Sequence, residues 1–200
     1  MNRIRRSGEE SFINSTCPQG FTLLQFWQWS ASDVISNTTR GRLAEFIVAQ
    51  ALGVADGTRN EWEAFDLTTS SGMSIEIKSC AYLQSWKQNK LSPIVFNVPK
   101  TRTWNSTATA MSLTSERQAK LYIFAILVHQ DKGTVNPLDL DQWHFYLLPT
   151  RVLNERTRSQ HSITLKSLAD LCNPRTPVRY QDLRSAVESM ELLIRERESV

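Results

Sequence analysis

The spacing of apolar positions changes along the chain, and each change marks an element. Phe21 to Ile35 carries Phe26, Trp27 and Trp29 among polar residues and predicts a packing helix ahead of the main domain. Ser36-Asn37-Thr38-Thr39 offers several N-cap residues. The helix predicted after them, Arg40 to Leu52, ends at Gly53, a residue suited to the left-handed position past a helix. From Leu43 to Leu52 only Glu45 and Gln50 interrupt the apolar run, so this helix is expected to be buried on most of its faces. Two short runs follow, Trp62 to Leu67 and Ser74 to Lys78, with Ser70-Ser71-Gly72 between them. They predict a β-hairpin with Gly72 in the left-handed position of a three-residue loop.

Downstream, Ile94 to Val98 predicts a third strand, and Ser112 to Lys120 has the makeup of a short helix. Leu121 to Val128 is the longest apolar run, eight residues, and predicts a strand at the sheet centre. Gln130 to Asp141 is a loop, within which Asp139 and Asp141 suit a turn and helix cap better than a second metal site. Trp143 to Leu148 predicts a strand near the sheet edge. Gln181 to Arg197 shows helical spacing of Leu183, Val187, Met190 and Ile194. Helix, three strands, helix, strand is the order of an α/β sandwich with a mixed sheet. Residues 1–20 are polar and predict a loose arm. Residues 21–200 form one domain, with a core at about 38–150 and an extension at 151–200.

Composition narrows the function. The chain has 200 residues, 22% of them charged, and a net charge of +3, so any nucleic-acid surface must be local. No run is long enough to span a membrane, and the basic N-terminus lacks the apolar core of a signal peptide. Cys17, Cys80 and Cys172 are widely scattered and show neither a disulfide framework nor zinc spacing; a cytoplasmic location is the simplest inference. His129, His144 and His161 have no ligand spacing, and there is no P-loop or G-x-S-x-G.

The candidate chemistry lies in the hairpin. If Thr69 pairs with Met73, Asp66 stands opposite Glu76, and Lys78 returns to the face of Glu76. Two opposed carboxylates repel each other, and a divalent cation such as Mg²⁺ would turn that repulsion into a binding site. Glu45, on its apolar helix, needs a cation or another charged partner, and Arg42 at i−3 is one candidate.

Arg40-Gly41-Arg42-Leu43-Ala44-Glu45, then Phe65-Asp66-Leu67, then Ile75-Glu76-Ile77-Lys78-Ser79 resemble the PD-(D/E)XK nuclease superfamily. The pattern is most similar to its Holliday-junction-resolvase-like branches, and the match covers residues 40 to about 86. Phe65 departs from the signature, which often has Pro there. The resemblance implies a restriction-endonuclease-like αβββαβ core and a nuclease that hydrolyses phosphodiester bonds in DNA. It makes Asp66, Glu76 and the backbone carbonyl of Ile77 ligands of Mg²⁺ (or Mn²⁺), with Glu45 binding directly or through water. Lys78 would orient or polarise the attacking water. Phosphodiester cleavage builds charge on oxygen, which such a cation stabilises.

Arg40, Gln84, Lys87, Lys90, Lys100 and Arg102 are the candidate nucleic-acid contacts, with Tyr82, Trp86 and Trp104 interleaved. Gln84 is carried over from the resemblance. DNA is favoured over RNA, and cutting both strands favours a homodimer. The alternatives are a binding module with the same fold but no turnover, and a structural cluster in which Lys78 and Arg42 neutralise the carboxylates.

Overall fold

The computed structural model describes residues 4–102, 104–105, 110–111, 115–157 and 160–198. The chain is mixed α/β. Its strands are β1 (Ser11–Asn14), β2 (Cys17–Thr22), β3 (Leu67–Thr68), β4 (Ser74–Ala81), β5 (Val95–Asn97), β6 (Trp104–Asn105), β7 (Ala110–Met111), β8 (Leu121–Leu127), β9 (Trp143–Pro149) and β10 (Ser162–Thr164). Its helices are α1 (Leu23–Ala31), α2 (Asn37–Leu52), α3 (Thr150–Glu155), α4 (Leu165–Leu171) and α5 (Leu183–Glu198).

The main sheet has the order β3-β4-β8-β9. β4 runs parallel to β8, and the other pairs are antiparallel. All seven residues of β8 are buried, because both faces of the sheet are covered. Leu121, Ile123, Ala125 and Leu127 join Ile75, Ile77 and Ala81 of β4 in one core, under Ala44, Ile47 and Val48 of α2 and Leu183, Val187 and Ile194 of α5. Tyr122, Phe124 and Ile126 point into the other core, with Phe96, Leu153, Ile163 and Leu168.

α2 forms as its caps dictate. Ser36 Oγ accepts the Thr39 N–H, and Gly53 closes the helix at φ +71°. The expected hairpin register also holds. Leu67 lies opposite Ile75 and Thr68 opposite Ser74, Thr69 N donates to Met73 O, and Gly72 sits at φ +92°.

Four expectations give way. Residues 61–66 make turns rather than strand, because Asn60 Oδ1 caps the Trp62 N–H locally and Trp62, 92% exposed, has no face to bury. The predicted third strand pairs with β10 in a separate two-stranded sheet, which packs on the second core through Phe96 and Phe124. The helix expected over 112–120 falls partly outside the described residues. Within 115–120 the chain is extended: Glu116 bridges to Thr101, and buried Arg117 donates to the carbonyls of Val98 and Gln160. Finally, residues 11–20, expected as part of a loose arm, pair into the β1–β2 hairpin, which runs on through Thr22.

α1 stops at Ala31 and buries none of its residues. Its Thr22–Gln25 capping box is complete, and its amides at Leu23 and Leu24 reach back to the carbonyls of Glu10 and Gly8. Phe26, Trp27 and Trp29 stay exposed, so α1 is not the packing helix that they predict.

Candidate active site

β3 ends at Thr68 on one side and Leu67 on the other, while β4 continues to Ala81, so among the described residues β4 has an edge with no strand beside it beyond Ile75. Asp66 turns into that space. Its backbone N–H donates to Ile75 O at 3.0 Å, and its Oδ2 accepts the Ile77 N–H at 2.7 Å. A strand residue directs its N–H and C=O to the same edge, so the Ile77 carbonyl points to the side where Asp66 sits.

Glu76 and Lys78 share the other face of β4, as the alternation requires, with Lys78 Nζ 2.5 Å from Glu76 Oε1. Glu45 reaches the same region from α2 and forms a two-pronged pair with Arg59. Arg59 also stands 4.0 Å from Asp66 Oδ1 and 3.4 Å from Glu61. Arg42 is not the partner of Glu45; it pairs with Glu61 at 2.8 Å.

Burial and the neighbouring carboxylates act on Asp66. Burial, followed by the nearby Glu76 charge, pushes the Asp66 carboxyl up to about 7, and Glu45 adds to the rise. The Ile77 N–H and Lys78 pull the other way but do not cancel it. Tyr122 faces Glu76 across the β4–β8 register, and burial together with Glu76 pushes its phenol up to about 12. Arg59 is held above its ordinary value, chiefly by its hydrogen bond to Glu45.

Among the described residues, no three His, Cys, Asp or Glu side chains form a ready metal cage. The donor set fits Mg²⁺ all the same, since that ion is commonly held by one or two carboxylates and completed by substrate phosphate and water. Asp66 and Glu76 would be the carboxylates, with the Ile77 carbonyl beside them. Glu45 is tied up in its pair with Arg59.

The model of the bacteriophage T4 endonuclease IV family matches residues 21–167. The chain belongs to that family. No curated protein matches it. Every carboxylate of this endonuclease IV-family site, with Lys78 and Arg59, lies inside the matched segment, whereas α5 lies beyond it. Membership supports a nuclease.

The expected nucleic-acid contacts divide into two groups. Lys87, Lys90, Lys100 and Arg102 are exposed. Arg40 and Gln84 are instead buried, at 3% and 6% exposure. Arg40 donates to Ile35 O at 2.9 Å and Asn37 Oδ1 at 2.8 Å, and reaches Ser79 and Gln84; Gln84 donates to Ala81 O. Both residues tie α2 to the end of β4 and offer nothing to a phosphate. β4 stops at Ala81, so Gln84 and Trp86 lie beyond the strand. Tyr82 packs against the second core, and Trp86 is 54% exposed; the side chain of Trp104 lies outside the described residues.

Sequence reasoning missed Arg59 and Tyr122. Arg59 sits in a polar loop with no periodic signal. Tyr122 is hidden in an apolar run, and its alignment with Glu76 follows only from the parallel register.

Proposed function

We propose that the chain is a metal-dependent endonuclease of the PD-(D/E)XK type that hydrolyses phosphodiester bonds in DNA. The observation that carries this reading is the convergence of Asp66 and Glu76 at the open edge of β4, where burial and the Glu76 charge together raise the Asp66 carboxyl. A bound Mg²⁺ or Mn²⁺ would neutralise that pair and supply charge stabilisation at the phosphate. The Ile77 N–H fixes the orientation of Asp66. Lys78, held against Glu76, presents its ammonium to a phosphate oxygen or to the attacking water. Arg59 restrains Glu45 and adds positive charge beside the site. Exposed Lys87, Lys90, Lys100 and Arg102 would hold the backbone of the substrate at a distance from the reacting phosphate.

The experiment is a cleavage screen over duplex, branched and single-stranded DNA and over RNA, with Mg²⁺ or Mn²⁺. Asp66→Ala, Glu76→Ala and Lys78→Ala are each expected to lower cleavage by at least about a hundredfold, the scale of losing a catalytic proton-transfer or charge-stabilising group, while the variants stay folded by circular dichroism. Full activity in any of them sinks the assignment. The close Lys78–Glu76 and Arg59–Glu45 contacts favour a second reading, an ion-pair cluster with no turnover. Calorimetry separates the two, because that reading expects no heat on adding Mg²⁺.

A further inference from the structure

We propose that the cavity beside Asp66 is a base-binding subsite, which takes one unstacked nucleobase of the strand whose phosphate lies at the carboxylate pair. The inference rests on the nuclease reading and extends it to how the substrate is gripped.

The cavity has a volume of about 350 Å³ and includes Glu45, Arg59 and Asp66 in its lining. That is the scale of a small-molecule pocket. One wall is a single face of α2, where Arg42, Glu45, Phe46 and Ala49 recur at three- and four-residue intervals. Phe46 is 52% exposed, although Ile47 and Val48 beside it are buried. A ring left half open on the face that lines a cavity offers a π surface, and any nucleobase can stack on it. The facing wall is the loop from Val54 to Asn60, which turns at Gly57 with φ +83°. Nothing lies within 4 Å of a Cβ built there, so the backbone angle, not space, calls for glycine. Thr58 on this loop supplies a polar group for a base edge.

Charge decides which part of a nucleotide enters. Glu45, Asp56 and Asp66 line the cavity and would repel a phosphate placed inside it. A neutral base suffers no such repulsion, and its amino or imino hydrogens can donate to carboxylate oxygens. Arg5, Arg42 and Arg59 also line this space and suit the flanking phosphates. One strand could thus place a base against Phe46 and the adjacent phosphate at Asp66 and Glu76. Taking a base out of its stack is how enzymes reach and read single nucleotides.

The test uses the full chain and a DNA oligonucleotide that it cuts. Single abasic nucleotides are placed in turn at each position flanking the cut. At one position the abasic substrate is expected to lower kcat/KM by about 5- to 150-fold, the range for one base–aromatic stack. Phe46→Ala should show a loss of similar size on the intact oligonucleotide and no further loss on that abasic one, while Phe46→Trp should restore cutting. Fluorescence anisotropy with the Glu76→Ala chain gives the same comparison as binding, free of turnover. Equal cutting of every abasic substrate by the wild-type chain overturns the subsite and leaves the nuclease standing. Losses from Phe46→Ala and from the missing base that multiply overturn it as well. A wild-type chain that cuts no nucleic acid overturns the reading beneath.

Discussion

Asp66 carries a cost that the fold sustains for the sake of its site. Its carboxyl is raised from an ordinary 3.8 to about 7 by burial and by Glu76. Between those values the folded chain holds a proton that the unfolded chain has lost. Stability from this group therefore falls as pH rises from about 4 to about 7, and the full penalty applies above that. Asn at the same position cannot ionise yet can still accept the Ile77 N–H. In metal-free buffer at pH 8, Asp66→Asn should be more stable than the wild type by about 1 kcal/mol or more, or about 2–4 °C in a chain of this size. The gap should close near pH 4. Mg²⁺ should raise the melting temperature of the wild type and leave that of Asp66→Asn unchanged. Thermal melts in EDTA at the two pH values check this, and identical shifts at both would contradict the account.

The hairpin that presents Asp66 and Glu76 is held at its turn by a distant element. Ser71 Oγ donates to Glu191 of α5, and Arg195 donates to Ser71 O at 3.0 Å and to Glu191 Oε1 at 2.6 Å. Glu191 is buried on that helix, next to an apolar face built from Val187 and Ile194. This latch predicts coupling. In a double-mutant cycle of Ser71→Ala and Glu191→Ala, urea unfolding should give an interaction energy of about 1 kcal/mol. Additive effects would mean that the two elements merely touch.

Physical reasons also explain which elements were legible in the sequence. α2 and the hairpin were, because their determinants are local: Ser36 and Gly53 at the helix ends, Gly72 in the turn, and alternation from Ser74 to Lys78 in β4. The same locality made Asp66, Glu76 and Lys78 readable as one cluster. What escaped depends on partners far along the chain. β5 finds its neighbour at Ser162–Thr164, and buried Arg117 holds residues 115–120 extended through contacts at Val98 and Gln160. Arg40 shows the converse failure: a cation within a nuclease-like motif was expected on the surface, yet the carbonyl and amide oxygens around it satisfy it inside.

Across the whole molecule, order is distributed unevenly. β8 contributes alternate side chains to both cores, so neither core can open without exposing it. A strand shared in this way should couple the two cores into one cooperative transition. Residues 11–31 are built differently. β1 and β2 are exposed along almost their whole length, and α1 buries nothing; Trp29 is 84% exposed, and Phe12 meets Phe21 with tilted rings whose centroids are 4.7 Å apart. With little apolar burial to oppose the entropy of ordering, such a segment opens at low free energy. Hydrogen exchange should therefore show β8 amides exchanging only through global unfolding. Amides of residues 11–31 should exchange orders of magnitude faster, and at a rate insensitive to low urea, as expected for local opening. Removing residues 1–31 should shift the melting temperature by less than about 2 °C, since less than about 1 kcal/mol of burial is lost. Protection in α1 equal to that in β8 would show that its aromatic face is covered in solution, and the segment would then belong to the folded body.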